Sequence, residues 1–230
     1  MTFIIAIDGP AGAGKSTVAT LVASALGLVR IDTGALYRAA ALHAVRVGAT
    51  EESEIGAALG AAKFELIGDK VLINGEEVSR LIRTPEISRR SSEVSALKRV
   101  RQALLAIQRG AAMSQPNGAV LEGRDIGTVV FPDAELKIFL TASPVERARR
   151  RTLELAEKGT PVPAEDVLRD ILARDERDQR RENAPLVRAE DAVLIDTTGR
   201  SLDSIVQEIT SIARGRRAPA VAEPDSSGHI

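Results

Sequence analysis

Residues 2–17 read TFIIAIDGPAGAGKST, and this stretch decides the fold. Its first six residues are an apolar, β-branched run. Gly9-Pro-Ala-Gly-Ala-Gly-Lys15-Ser16-Thr17 then fits G-x-x-x-x-G-K-[ST], and the helical pattern TVATLVASALG follows. Strand, glycine-rich turn and helix in that order make a phosphate cradle. Glycines let successive N–H groups point inward, and the helix N-terminus adds partial positive charge. Lys15 reaches the β- and γ-phosphates, and Ser16 is placed to ligate Mg²⁺. The expected ATP-binding residues are therefore Gly9, Pro10, Ala11, Gly12, Ala13, Gly14, Lys15, Ser16 and Thr17, with Ser16 as the metal ligand. A nucleoside triphosphate site alone does not separate a kinase from a hydrolysing switch or a motor.

Four further short apolar runs, LVRI (28–31), AVL (119–121), LKIFL (136–140) and AVLI (192–195), alternate with helical patterns. The alternation predicts an α/β fold, a five-stranded parallel sheet with helices on both faces. Each run is followed by a polar cluster: DTGALYR, EGRDIG, TASP and DTTG. Those clusters fall beyond the carboxyl ends of the strands, where open α/β sheets bind ligands. Residues 64–78 break the rhythm, since Asn74-Gly75 between KVLI and EEV is a hairpin signal. The expected organisation is core over 1–47, an inserted small α+β lobe over 48–98, core over 99–143, a helical lid region over 144–163 and core over 164–215. A tail over 216–230, poor in bulky apolar residues, is expected to be disordered.

Composition narrows the chemistry. The 31 basic and 32 acidic side chains nearly cancel, so no overall field draws the chain to nucleic acid or anionic lipid. There are no cysteines, which excludes disulfides, thiolate metal sites and cysteine nucleophiles and suits a reducing, cytoplasmic setting. His43 and His229 are the only histidines, too few for a zinc cage or a Ser-His-Asp triad, and neither is assigned a role. One tyrosine, four phenylalanines and no tryptophan give little surface for base stacking. No apolar stretch approaches the ~18 residues of a membrane span.

Arginines supply the second half of the pattern. Arg38 follows the second run, Arg124 the third, and Arg174, Asp178 and Arg181 stand at i, i+4 and i+7, on one face of a predicted helix from about Ala164 to Glu182. Singly, each is a solvated residue or half of a weak ion pair. Together with the glycine loop they would make room for several phosphates at one sheet edge. Arg147, Arg150 and Arg151, at i, i+3 and i+4, read either as a lid over those phosphates or as a solvated face paired with Glu146, Glu154 and Glu157.

The motifs GPAGAGKST, DTGALYR, RLIRTPEIS, VSALKRVRQALLAIQR, EGRDIGTVVFPDAELKIFLTAS and RDERDQRRENAPL together resemble the bacterial cytidylate kinase family, over about residues 3–213. Thr33, where serine is common, and Glu122, where aspartate also occurs, are small departures. The resemblance implies phosphoryl transfer from ATP with Mg²⁺ to CMP or dCMP by a monomer that engages neither nucleic acid nor membrane. It assigns catalysis to Lys15, Arg124, Arg174 and Arg181, with Arg38 also on the acceptor phosphate. It places Thr33 and Asp178 near the ribose, and Ser92, Arg101 and Asp125 on the base. Asp125 and Ser92 could accept from the cytosine amine while Arg101 donates to N3 and O2. The competing expectations are another small-molecule kinase, acting on AMP, UMP or shikimate, and a non-catalytic nucleotide-binding switch, although no N-K-x-D stretch is present.

Overall fold

The computed structural model describes residues 2–67, 70–157 and 159–217. In chain order the elements are β1 (Ile4–Asp8), α1 (Lys15–Leu26), β2 (Val29–Asp32), α2 (Thr33–Arg46), α3 (Glu52–Ala61), β3 (Phe64–Ile67), β4 (Lys70–Ile73) and β5 (Glu76–Glu77). They continue with α4 (Pro85–Val94), α5 (Lys98–Met113), β6 (Ala119–Gly123), β7 (Leu136–Thr141), α6 (Pro144–Glu157), α7 (Ala164–Arg180), β8 (Val193–Asp196) and α8 (Leu202–Arg217).

The expected five-stranded sheet is present, in the order β2-β6-β1-β7-β8 with every pairing parallel. All five residues of β1 are buried, as a central strand covered on both faces requires. Parallel order puts all the carboxyl ends on one edge, so Asp8, Asp32, Gly123, Thr141 and Asp196 open onto the same side. Apolar side chains of α1 and α8 pack with one face of this sheet, around Ile5, Ile7, Val18, Ile138 and Ile209.

A separate three-stranded antiparallel sheet, β3-β4-β5, fulfils the hairpin signal. Asn74 and Gly75 sit at φ 51° and 84°, the left-handed pair that a tight two-residue turn needs. This segment has no apolar core of its own. Phe64, Val71, Ile73 and Ile87 share one cluster with Leu36 and the alanines of α2 and with Val100 and Leu104 of α5.

Two expectations are corrected. The disordered tail does not begin at 216, because α8 runs through Arg217. Arg216 donates to the Glu135 carbonyl, and Arg217 donates to the carbonyls of Leu26 and Asn117 and lies 5.7 Å over the Phe3 ring. Charged tips and an aliphatic stem hold these residues where a count of bulky apolar side chains gave no signal. The rest of the expected tail, 218–230, lies outside the described residues. Secondly, α7 ends at Arg180, so Arg181 leaves the helical face in an extended conformation, φ −58° and ψ 131°. Its Nε turns back to donate to the Asp178 carbonyl, satisfying a helix-end acceptor.

Candidate phosphate-transfer site

The loop after β1 is shaped by what lies beneath it. Gly9 has φ 147°, and a Cβ there would stand 1.9 Å from the Leu140 carbonyl oxygen, so only glycine fits. Lys15 is buried and donates to the Pro10 carbonyl at 2.7 Å. Burial, and then the charges of Arg124 and Arg174, push its ammonium well below the ordinary lysine pKa. Ser16 Oγ donates to Glu122 Oε2 at 2.6 Å. Glu122 Oε1 also accepts from Arg30, through Nε at 3.0 Å and through Nη2.

Opposite the loop stand the arginines. Arg124 Nε donates to Asp178 Oδ2 at 2.8 Å, and Arg38 Nη2 pairs with Asp32 Oδ2 at 2.8 Å. Arg174 is so buried, and so close to Arg124 and Arg38, that its pKa falls to about 10. Burial, Arg101 and Arg124 also pull Arg181 down, against Asp178 and Asp125. Asp178 is held below the usual carboxylate range despite its burial, because Arg124, Arg181 and Arg174 surround it. One carboxylate therefore faces three guanidinium groups. Among the described residues, the buried polar side-chain atoms without a hydrogen-bond partner include Arg38 Nε, Arg174 Nε, Arg181 Nη2 and Ser92 Oγ. A donor buried and unpaired costs about 1–3 kcal/mol, so native proteins rarely keep one without a use.

A second ion pair lies next to this cluster. Arg101, on α5, pairs with the buried Asp125, donates to the Ser95 carbonyl at 3.1 Å and lies 5.3 Å over the Tyr37 ring. Tyr37, quoted in the sequence but given no role there, thus fixes the guanidinium plane from α2. Thr33 is 2% exposed and its hydroxyl donates to the Glu122 carbonyl at 2.7 Å, which stitches α2 to β6.

The three arginines of α6 separate. Arg147 is buried: it donates to the carbonyls of Ala142 and Ala11 at 3.0 Å each and pairs with Asp175 of α7 at 2.6 Å. Arg150 donates to Thr197 and Glu146, and its Nη1 lies 3.9 Å from where a Cβ on Gly14 would stand. Arg151 is exposed and pairs with Glu154, the solvated alternative. Periodicity put the three on one face, but packing between α6, α7 and the glycine loop captures only the first.

Asp8 and Asp32 were quoted from the sequence only inside longer motifs, and Glu122 was named there as a small departure from the family pattern without a role. Asp32 caps α2 by accepting from the Ala35 N–H at 3.0 Å. Asp8 is buried and accepts from the N–H groups of Ile126 and Gly127 at 2.8 and 2.7 Å. Burial nevertheless pushes its pKa up to about 6.

A loop built for polyphosphate, faced by arginines with unpaired donors, invites comparison with known proteins. The family described as cytidylate kinase matches residues 5–215. The chain belongs to the cytidylate kinase family. The cytidylate kinase of Geobacter sulfurreducens is 48% identical over 219 residues, covering 93% of each chain. That of Syntrophotalea carbinolica is 48% identical over 231 residues, covering 98% of this chain and 97% of the relative. Among solved structures, an uncharacterized protein from Eubacterium ventriosum superposes with a TM-score of 0.51 at 13% identity, covering 93% of this chain and 99% of that one, a likeness of fold alone. Among the described residues no helix is long and apolar enough to cross a membrane.

Proposed function

We propose that this chain transfers the γ-phosphoryl group of ATP to CMP or dCMP, giving ADP and CDP or dCDP. The observation that carries the reading is the set of buried guanidinium nitrogens on Arg38, Arg174 and Arg181 without a hydrogen-bond partner, Arg181 Nη2 keeping only a 3.9 Å ion pair to Asp178, beside an Arg174 whose charge acts on Lys15. Like charges packed together without enough carboxylates are what a second polyanion would neutralise. The acceptor oxygen belongs to a phosphate already anionic near neutral pH, so alignment and charge neutralisation suffice and no general base is needed.

In this reading Lys15 and the backbone N–H groups of residues 9–17, all but Pro10, hold the donor. Arg38, Arg124, Arg174 and Arg181 hold the acceptor phosphate and the group in flight, and Asp178 takes the ribose. Ser92, Arg101 and Asp125 read cytosine, with Thr33 supporting the site from beneath. The segment 48–98 carries part of the base side, and the 144–163 region closes over the donor through Arg150, the α6 arginine nearest Gly14. The Ser16 hydroxyl and the Glu122 carboxylate are adjacent oxygen donors that suit Mg²⁺. Bound there with the nucleotide, that ion supplies further neutralisation of phosphate charge. All these groups come from one chain, so a monomer is sufficient.

The test is a transfer assay with ATP and, separately, CMP, dCMP, UMP and AMP. Cytidine acceptors should lead by at least ~100-fold in kcat/KM, the range expected when a mismatched base leaves buried polar groups unpaired. Equal use of UMP would remove the base reading, and nucleotide binding without transfer would favour a switch.

A further inference from the structure

The donor loop and the acceptor loop are joined by one carboxylate that the reaction itself does not use. Asp8 ends β1 and immediately precedes Gly9, so its backbone belongs to the phosphate cradle. Its side chain crosses to the neighbouring strand's loop, where both oxygens are engaged: Oδ1 by Ile126 N–H at 2.8 Å and Oδ2 by Gly127 N–H at 2.7 Å. These two N–H groups open the π-helical turn Ile126–Val130, which directly follows Arg124 and Asp125. The first N–H groups of a helical turn have no partner within the turn, so they need an outside acceptor. Asp125 itself is not helical, at φ −148° and ψ 26°, so the start of the turn is held by what bonds its first N–H groups. Gly127 is also confined, since a Cβ there would stand 3.1 Å from the Lys137 side chain.

We propose that Asp8 is a positioning residue that fixes Arg124 and Asp125 in register with the donor cradle, so that the spacing between the two substrates is set by one side chain. The inference rests on the proposed transfer to a cytidine nucleotide. It has a geometric rationale: one side chain accepts both N–H bonds, one on each oxygen, and so ties two successive peptide units of the turn to the end of β1. The charges that act on Asp8 include those of Asp125 and Lys15, one from each loop.

The test is Asp8→Asn, whose amide oxygen can accept only one of the two bonds, with Asp125→Asn as a parallel variant. Expected for Asp8→Asn are a tenfold or greater fall in kcat/KM for CMP, a smaller CMP-to-UMP ratio, and an ATP dissociation constant within threefold of wild type. The ratio is independent of how much enzyme is folded, so a purely structural loss would leave it unmoved. An unchanged ratio in Asp8→Asn beside a collapsed ratio in Asp125→Asn overturns the proposal. If Asp125→Asn also keeps the ratio, it is the base reading that fails, and the split between kcat/KM for CMP and ATP affinity decides the role of Asp8. Should Asp8→Asn not fold, hydrogen exchange on the wild type decides: slow Ile126 and Gly127 amides support the link, and exchange within seconds refutes it.

Discussion

Arg147 and Arg174 are both buried, yet replacing each by methionine should move stability in opposite directions. Arg147 has partners on three sides: Asp175 at 2.6 Å and the carbonyls of Ala142 and Ala11 at 3.0 Å. Removing one member of a buried pair strands the other charge, which typically costs about 3–5 kcal/mol. Arg147→Met should therefore lose about that much, or roughly 6–20 °C in Tm at about 2–4 °C per kcal/mol for a chain of this size. Arg174 is in the reverse situation. Its Nε has no partner, and burial with Arg124 and Arg38 nearby lowers its pKa from 12.5 to about 10. At about 1.36 kcal/mol per unit, holding that charge costs the free protein on the order of 3 kcal/mol. Arg174→Met regains part of it and keeps the stem's packing, so unliganded stability should hold or rise by a few degrees while kcat/KM for CMP falls at least ~100-fold. Urea unfolding of both variants without nucleotide, beside steady-state kinetics, reads the two quantities. If Arg174→Met is destabilised as much as Arg147→Met, the arginine cluster is a stabilising network and the argument from unpaired donors fails.

Saturating CMP should raise Tm, by about 2.7 kcal/mol or roughly 5–10 °C at a hundredfold excess over Kd, and the same concentration of UMP should do much less. Gly9→Ala should cost at least ~3 kcal/mol, visible as loss of soluble protein or of Tm, because its Cβ would stand 1.9 Å from the Leu140 oxygen. Lys15→Ala should lose most turnover; kcat within threefold of wild type would refute the donor assignment. Asp8 sets a pH dependence. Its folded pKa of about 6 lies above the ordinary 3.8, so its stabilising share is complete below 3.8 and is lost as pH rises to about 6. The stability of wild type minus that of Asp8→Asn should fall by roughly 3 kcal/mol across that window and then level; a flat difference in stepped-pH urea unfolding would contradict it.

What could be read from the chain was what is local. β-branched runs, the Asn74-Gly75 turn and the glycine loop each carry their geometry within a few residues, and the sheet follows from their alternation. Arg38, Arg124, Arg174 and Arg181 were legible as types at particular positions. Their unpaired donors were not, because pairing depends on which carboxylates the fold brings near. The partners of Asp8 and Glu122 were not legible for the same reason: a single acid at a strand end has many uses, and only the neighbouring strand's loop selects one. Arg147 illustrates the limit of periodicity, since its spacing with Arg150 and Arg151 cannot say that α7 covers it.

The apolar cluster shared by α2, the antiparallel segment and α5 bears on engineering. Its small alanines let backbone approach backbone, so the antiparallel segment is not a detachable cassette. Grafting residues 48–98 alone onto a shorter kinase scaffold would expose Phe64, Val71 and Ile87 to water, and the chimera would aggregate unless the alanine face of α2 and the first turns of α5 travelled with it. Substrate range in this architecture is therefore inherited as a block.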